Sequence, residues 1–273
     1  MRVVVCAMAK NEQLYINEWV GHYVKLGFDT LYIFDNDDTN KKPIKSCIDK
    51  KYLDKVVVVD IRGITKPKLQ QETYTNFYRD YRNTFDWVFF CDIDEFLVGV
   101  DNVKEWLSNP MYNKALQIRV MWKLFGDNEL IERDMSKGVM ETFTKQVHSS
   151  LHRNLQLKGN LEIQGKAFVS GGIDNVVVRS PHFASIGYRD NLIPSILPSG
   201  KPCHSFVAIV EDYSKETIWL NHYMTKSLKE FIDQKLKRTD AVYGDKIPLT
   251  YYFRINKITN EKLEYLRKLG LEM

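Results

Sequence analysis

The first half of the chain alternates short apolar runs with segments of helical periodicity. The runs that predict strands cover residues 2–8, 31–34, 56–61, 87–91 and 115–122. The segments whose apolar side chains recur every three or four positions predict helices over residues 13–26, 70–84 and 103–107. Strands alternating with helices in this way are typical of an α/β fold, in which a mostly parallel central sheet carries helices on both faces.

The second half of the chain is less regular, and its pattern fits antiparallel strands and loops. Strands are predicted over residues 166–169 and 176–178, on either side of a turn at Gly171-Gly172. Residues 185–204 are rich in Pro and Gly and predict a long loop. Loops of this length are usually functional or disordered.

Regular structure returns near the C-terminus. A strand is predicted over residues 218–220, and Ser227 with Glu230 matches a capping box that opens a helix to about residue 236. A length of 273 residues suits one large α/β domain. We therefore expect a single domain with an α/β half in residues 1–130 and an elaborated half in residues 131–273.

Composition narrows the class of protein. Apolar residues make up 44% and charged residues 27% of the chain, which is ordinary for a folded globular protein and excludes disorder as a whole-chain answer. The net charge of +4 lacks the concentrated basicity of a nucleic-acid binder. The basic run at Lys235, Lys237 and Arg238 is interpreted as a solvated face, with an anionic membrane surface as the alternative.

Cysteine usage and hydropathy bear on the compartment. The four cysteines are widely spaced without a C-x-x-C motif, which fits a reducing environment. No apolar stretch approaches the roughly 20 residues needed to span a bilayer, and the N-terminus has no signal-peptide pattern. The sequence predicts a cytoplasmic protein without a transmembrane segment, which could still contact a membrane peripherally.

The strongest chemical signal is the acidic cluster D-I-D-E at residues 92–95. It directly follows the fourth strand, at the carboxyl edge where open α/β sheets bind ligands. Three carboxylates this close repel one another and require a cation, and Mg²⁺ or Mn²⁺ commonly bridges carboxylates to substrate phosphates. A short D-x-D can also merely turn the chain or cap a helix. A phosphatase of the HAD type would carry the motif after its first strand, which here ends at Met8-Ala9-Lys10.

Several further segments occur in a fixed order along the chain. They are Lys10-Asn11-Glu12, Glu18-Trp19, His22-Tyr23, Y-I-F-D-N at 32–36, W-V-F-F-C-D-I-D-E-F-L at 87–97, W-K-L-F-G at 122–126 and L-N-H-Y at 220–223. Together they resemble the glycosyltransferase 2-like group close to glycosyltransferase family 92. The resemblance implies a GT-A fold, a nucleotide-sugar donor, and a Mn²⁺ or Mg²⁺ ion held by Asp92 and Asp94.

The resemblance also implies which residues lie near the donor. The nucleotide base and ribose would lie near Lys10, Asn11, Glu12, Asp35 and Asn36. The segment at 122–126 continues with an aspartate where a small residue is expected, so Asp127 belongs to no shared motif. Residues 130–217 match only loosely, and these would face the saccharide acceptor.

The C-terminal N-H-Y element supplies two more candidates. His222 is predicted as a third metal ligand, because two aspartates provide few of the roughly six ligands that a Mg²⁺-like ion takes. The alternative is a structural histidine. Lys226 is predicted near the diphosphate as a point charge. His182 and His204 are candidates for contacts with the acceptor or the diphosphate.

An inverting transferase needs a general base within reach of the acceptor hydroxyl. The candidates are Asp127, Glu95 and Glu129, of which Asp127 is favoured because it follows the strand that ends in W-K-L-F-G. Glu95 adjoins the aspartate pair and could instead support the metal ligands.

These observations predict a metal-dependent glycosyltransferase that moves a sugar from a UDP-sugar to a hydroxyl of a glycan or lipid-linked saccharide, with inversion. A nucleotidyltransferase or sugar-nucleotide pyrophosphorylase is the first alternative, but it would carry a glycine-rich phosphate loop, and residues 8–12 contain no glycine. A non-catalytic nucleotide- or carbohydrate-binding module is the second. The intact D-x-D and the candidate bases argue against that module.

Overall fold

The computed structural model describes residues 1–147, 164–180, 182–187, 191–203, 216–237 and 246–272. Its strands are β1 (Val3–Ala9), β2 (Thr30–Asp35), β3 (Val56–Asp60), β4 (Trp87–Phe90), β5 (Glu95–Val98), β6 (Gln117–Leu124), β7 (Gly165–Ser170), β8 (Val176–Ser180), β9 (Phe183–Ile186), β10 (Asn191–Leu192), β11 (Ser195–Ile196), β12 (Pro202–Cys203) and β13 (Trp219–His222). Its helices are α1 (Ile16–Lys25), α2 (Leu69–Tyr81), α3 (Val103–Leu107), α4 (Val139–Thr142), α5 (Leu228–Glu230), α6 (Leu249–Phe253) and α7 (Asn260–Lys268). A π-helical turn, Phe231–Lys235, continues α5.

The central sheet runs in the order β12-β11-β6-β7-β4-β1-β2-β3, and β13 joins β6 to β5. β1 pairs in parallel with β2 and β4, and β6 pairs in parallel with β11 and β13. β7 is antiparallel to both of its neighbours, β4 and β6. The predicted α/β fold with a mixed, mostly parallel sheet is therefore confirmed. One detail differs, because the antiparallel strand expected as an addition lies in the middle of the sheet.

Helices cover both faces of the sheet, as expected. Side chains alternate along β1, since successive residues of a strand point to opposite faces. Val5 lies in the core under α1, together with Trp19. Val4 and Cys6 lie in the core under α2, together with Phe77. Two apolar layers thus hold the parallel strands from both sides and fix their carboxyl ends at one edge.

Several elements were not predicted from the sequence. The long loop expected over residues 185–204 contains the short strands β10, β11 and β12. Pairings of two residues each are too short to show a period of two. The helices α6 and α7 and the strand β5 were also missed, and β5 forms because it pairs with the distant β13.

No disulfide joins the four cysteines, all of which lie among the described residues, and burial raises the pKa of the Cys6 and Cys91 thiols. These two thiols therefore stay protonated and pack as small apolar groups.

None of the helices within the described residues has the length and apolar character that crossing a membrane requires.

Candidate functional site

The candidate site lies where the carboxyl ends of β1, β2 and β4 meet the first residues of β7. Ala9 pairs with Asp35 at the ends of β1 and β2. Because β7 runs antiparallel to β4, its beginning lies at the same edge as the end of β4. Lys166 near the start of β7 is thereby brought to Asp92, which follows β4.

Asp92 is held from two sides. Its Oδ2 accepts a hydrogen bond from Lys166 Nζ at 2.7 Å, and its Oδ1 accepts one from Gln70 Nε2 at 3.0 Å. The side chain is still 33% exposed. Burial raises the pKa of Asp92, but the Lys166 ammonium outweighs burial and leaves the pKa below its ordinary value. Asp92 is therefore an ionised carboxylate that a ligand can reach.

Asp94 is more deeply buried than Asp92, and its carboxylate faces Lys235 and His222. Its Oδ2 accepts a hydrogen bond from Lys235 Nζ at 2.7 Å, and its Oδ1 lies 3.5 Å from His222 Nε2. Burial raises the pKa of Asp94, but Lys235 and His222 together hold the pKa well below its usual range. Both aspartates of the D-x-D motif are thus charged.

Glu95 lies behind the two aspartates and is fully buried. Its Oε2 accepts a hydrogen bond from the backbone N–H of Asp92 at 2.9 Å, and its Oε1 lies 3.9 Å from His222 Nδ1. Burial raises the pKa of Glu95 well above its usual value, although Lys166 opposes the shift. These contacts favour a role for Glu95 in supporting the two aspartates. Its role as a general base stays a prediction.

His222 packs against Trp122, and the two ring centroids are 4.4 Å apart. Burial lowers the pKa of His222 although Asp94 opposes the shift, so the imidazole is neutral near pH 7. The other face of the site holds His182, whose Nδ1–H donates to the Gly165 carbonyl at 2.7 Å. Burial lowers the pKa of His182 to about 3. His204, the remaining histidine candidate, lies outside the described residues.

The donor atoms around Asp94 fit a divalent cation in part. The 3.5 Å between Asp94 Oδ1 and His222 Nε2 is near the roughly 3 Å that separates neighbouring ligands of an octahedral ion. Within the described residues, no group of three or more His, Cys, Asp and Glu side chains is placed to hold a metal ion. Asp94 and His222 thus fit an ion that takes its other ligands from phosphate and water, and Asp92 as a ligand stays a prediction.

His222 Nδ1 and Glu95 Oε1 strengthen this fit. Both atoms are buried without a hydrogen-bond partner in the described part of the chain, and they face each other. Histidines that bind metals commonly donate their second ring N–H to a carboxylate. A small movement would give His222 that second contact.

The segment predicted to lie near the nucleotide follows β1. Asn11 adopts a left-handed backbone conformation, and its backbone N–H donates to Asp37 Oδ2 at 3.3 Å. Its side-chain Nδ2 donates to the Gln234 carbonyl at 3.5 Å, which joins the end of β1 to the π-helical turn. Glu12 is buried, and its backbone carbonyl accepts from the first turn leading into α1. Lys10 is half-buried beside them.

Asp35 and Asn36 lie at the same edge, and their contacts shape the neighbouring loops. Asp35 Oδ1 accepts from the backbone N–H of Asp37 at 3.3 Å, and its Oδ2 accepts from Ile44 at 2.9 Å. Asn36 Nδ2 donates to the Ile64 carbonyl at 3.0 Å. Nucleotide contacts by these two residues stay a prediction. Asp37, which sequence reasoning did not single out, anchors the segment after β1.

Lys226 reaches the site from the segment between β13 and α5. Its Nζ lies 4.1 Å from the centroid of the Tyr15 ring, and the residue is 4% exposed. Its charge contributes to the lowered pKa of Asp94. No hydrogen bond joins its ammonium group to another residue of the described ranges, so this buried cation is suited to an anionic ligand.

Two lysines of the site were missed from the sequence. Lys235 was assigned to a solvated basic face, but this interpretation is wrong because the residue is 9% exposed and bound to Asp94. Lys237 of the same run is indeed exposed and pairs with Asp233, whereas Arg238 lies outside the described residues. A usable signal was present for Lys166, which is a single charge at the start of an otherwise apolar strand.

The side chain of Asp127 contacts a different set of residues from those around Asp92 and Asp94. Its carboxylate accepts from the Tyr252 hydroxyl and from Lys262 Nζ, and Lys262 is fully buried. Its Oδ1 also accepts from the backbone N–H of Glu129 at 2.8 Å. These contacts favour a structural role that ties the loop after β6 to α6 and α7. Catalysis by Asp127 stays a prediction, and of the three candidate bases Glu129 is the exposed one.

The fold and site define an α/β protein with ionised aspartates and lysines at the carboxyl edge of its sheet. No protein-family model matches the sequence. A glycosyltransferase family 92 protein of Ricinus communis is 27% identical over 135 residues, which cover 46% of this chain and 23% of that protein. The chain thus spans less than a quarter of the curated relative's length. This distant homology confirms the resemblance inferred from the sequence. It also supports the prediction that the protein is an enzyme.

Among solved structures, Staphylococcus aureus TarS is 11% identical, with a TM-score of 0.34, and the match covers 62% of this chain and 28% of that chain. A similarity this low does not bear on fold or function.

Proposed function

We propose that the chain is a metal-dependent glycosyltransferase of the GT-A type. It transfers a sugar from a nucleoside-diphosphate donor, a UDP-sugar, to a hydroxyl of a glycan or lipid-linked saccharide, with inversion. The observation that carries this proposal is the ionised pair Asp92 and Asp94 at the carboxyl edge of the sheet, with His222 Nε2 3.5 Å from Asp94. The distant homology to a glycosyltransferase family 92 protein supports it.

Asp94 and His222 are the residues that would hold the metal ion, with Asp92 beside them. A Mn²⁺ or Mg²⁺ ion held there would neutralise negative charge on the diphosphate leaving group. Lys226 adds a buried positive charge on the same side, and its ammonium group has no acceptor within the described residues. The enzyme's own contribution is to hold phosphate oxygens in a fixed electrostatic environment that water does not provide.

The donor nucleotide is proposed to bind over the ends of β1 and β2. Lys10, Asn11 and Glu12 follow β1, and on the adjacent strand Asp35 ends β2 and Asn36 comes directly after it. Loops at this edge are shaped by side-chain contacts, such as the two backbone N–H groups that Asp35 accepts. Preformed loops lower the ordering cost of binding a nucleotide.

The direct test measures release of the nucleoside diphosphate from a panel of nucleotide sugars. We expect slow hydrolysis of a UDP-sugar with Mn²⁺, complete loss in EDTA, and recovery when Mn²⁺ is added back. Undiminished hydrolysis in EDTA would contradict the metal requirement. Formation of a nucleotide sugar from a sugar phosphate and a nucleoside triphosphate would favour a nucleotidyltransferase, and nucleotide binding without turnover would favour a binding module.

A further inference from the structure

The D-x-D motif is paired with two lysines from distant parts of the chain. Lys166 Nζ lies 2.7 Å from Asp92 Oδ2 and 3.5 Å from Glu95 Oε1. Lys235 Nζ lies 2.7 Å from Asp94 Oδ2. Both lysines are buried. The aspartate oxygens that face these lysines are therefore engaged by ammonium groups.

This arrangement sets up a competition for the carboxylates. A divalent ion that uses the second oxygen of Asp94 must displace Lys235 from it, and a buried ammonium group loses a strong charge contact when it leaves a carboxylate. A diphosphate removes that cost, because its oxygens are strong acceptors for the same ammonium group. Lysine suits such a change of partner, since its charge sits on a flexible stem.

The surroundings of Lys235 favour a functional role for its side chain over a purely structural one. The residue ends the π-helical turn Phe231–Lys235, and π-helical turns occur frequently at functional sites. Its side chain keeps 11% of its surface exposed, whereas that of Lys262 in the Asp127 contact keeps none. Asp92 is 33% exposed beside Lys166. The Lys235 side chain and the Asp92 carboxylate therefore border the space that a ligand enters, and Lys166 lies directly behind Asp92.

We propose that Lys166 and Lys235 are exchangeable counter-ions of the D-x-D motif. Before a nucleoside diphosphate binds they neutralise Asp92 and Asp94, and when it binds they turn to its phosphate oxygens and leave the aspartates to the metal ion. This inference rests on the proposed function. It predicts that metal ion and diphosphate bind with positive coupling, because each removes the obstacle to the other.

The test is isothermal titration of the full chain with Mn²⁺ alone, UDP alone and both together. Lys235→Met should bind Mn²⁺ alone about tenfold more tightly than the wild type, because no ammonium group then competes for Asp94. It should bind UDP alone about tenfold more weakly, because the contact between Lys235 and the phosphate oxygens is lost. The coupling between the two ligands should shrink accordingly. The control is Lys229→Met, which removes an exposed lysine paired with Asp233 at 2.9 Å just before the same π-helical turn. It should leave all three titrations unchanged.

One further measurement and one further variant distinguish a lost contact from a misfolded protein. Thermal unfolding checks that Lys235→Met is folded, and Lys235→Gln serves as a second variant that removes the charge but keeps a polar group. Unchanged affinities for Mn²⁺ and UDP in the folded variants would overturn the exchange while leaving the proposed function intact. A wild-type chain that binds neither UDP, GDP nor ADP with Mn²⁺ present would instead overturn the proposed function, and the exchange with it.

Discussion

The chain buries lysine–aspartate pairs in two regions that differ in how completely their polar atoms are satisfied. The edge cluster comprises Asp92, Asp94, Lys166, Lys235 and His222 at the carboxyl edge of the sheet. The junction cluster comprises Asp127, Tyr252, Asn256 and Lys262, where β6 meets the C-terminal helices. Both clusters use the same two side-chain chemistries, so the contrast between them isolates the effect of their surroundings.

The junction cluster is closed. Asp127 accepts hydrogen bonds on both carboxylate oxygens, and its backbone N–H donates to Asn256 Oδ1 at 2.7 Å. Lys262, fully buried, also donates to the Lys257 carbonyl at 3.0 Å. A buried network in which every member has its partners rigidifies a fold and leaves no group for a ligand.

The edge cluster is open by the same measure. Within the described residues, the buried atom His222 Nδ1 of this cluster has no hydrogen-bond partner, and the same is true of Glu95 Oε1 and Trp122 Nε1 on the two side chains that lie against His222. Such atoms are rare in folded proteins and call for a ligand, a water molecule or an ion. The same kind of lysine–aspartate pair therefore belongs to a scaffold where the polar atoms around it are satisfied, and borders the candidate site where neighbouring polar atoms are not.

The largest effect is expected from Asp127→Asn, which sharpens the comparison by opening the junction cluster. Loss of this carboxylate leaves Lys262 buried without its counter-ion, so the free energy of unfolding should fall by about 3–5 kcal/mol. Urea unfolding measures it. Turnover per folded molecule should stay near the wild-type value.

The control is Glu129→Gln, which removes an exposed carboxylate two positions away and should change the free energy of unfolding by about 0.5 kcal/mol or less. The double variant Asp127→Asn/Lys262→Met should recover part of the lost stability, because neither charge then remains buried alone. Unchanged stability with a large drop in kcat for Asp127→Asn would instead return the role of general base to Asp127.

The next effect is expected from Asp94→Asn at the edge cluster, with the opposite signature. UDP-sugar hydrolysis in Mn²⁺ should fall by about 100-fold or more, because Asp94 is the proposed metal ligand with His222 beside it. Stability should change by only about 1–2 kcal/mol, since the Lys235 side chain keeps 11% of its surface exposed whereas that of Lys262 keeps none. Asp233→Asn, in the same π-helical turn as Lys235, is the matched control. Activity near the wild-type level in Asp94→Asn would break the assignment of the edge cluster as the active site.

The smallest effect is expected from Tyr252→Phe, which removes one hydrogen bond from the junction cluster and no charge. The free energy of unfolding should fall by about 1–2 kcal/mol, because Asp127 loses one donor and keeps its lysine. Tyr81→Phe is the control, since that tyrosine is exposed on α2. Equal stability of Tyr252→Phe and Tyr81→Phe would show that the Tyr252 hydroxyl contributes nothing to the closed cluster.

The local pattern of the sequence determined the parts of the protein that depend on near neighbours in the chain. The sequence predicts the bounds of six elements within a few residues: β1, β2, β3, β4, α1 and α2. Buried strands and amphipathic helices can be recognised in this way because their apolar residues recur at a regular spacing along the chain. The D-x-D motif was placed at the carboxyl edge of the sheet for the same reason, since the connection order fixes where parallel strands end.

The tertiary structure alone decided what surrounds the motif. Lys166 stands 74 positions from Asp92 and Lys235 stands 141 positions from Asp94, so no local period links either pair. β7 reaches the motif because it inserts between β4 and β6, a pairing that a short apolar run does not specify. The same holds for Asp127 and Lys262, 135 positions apart. Sequence determined which groups carry charge, and long-range packing decided which of these charges find partners, because burial and distance set the energy of a charge.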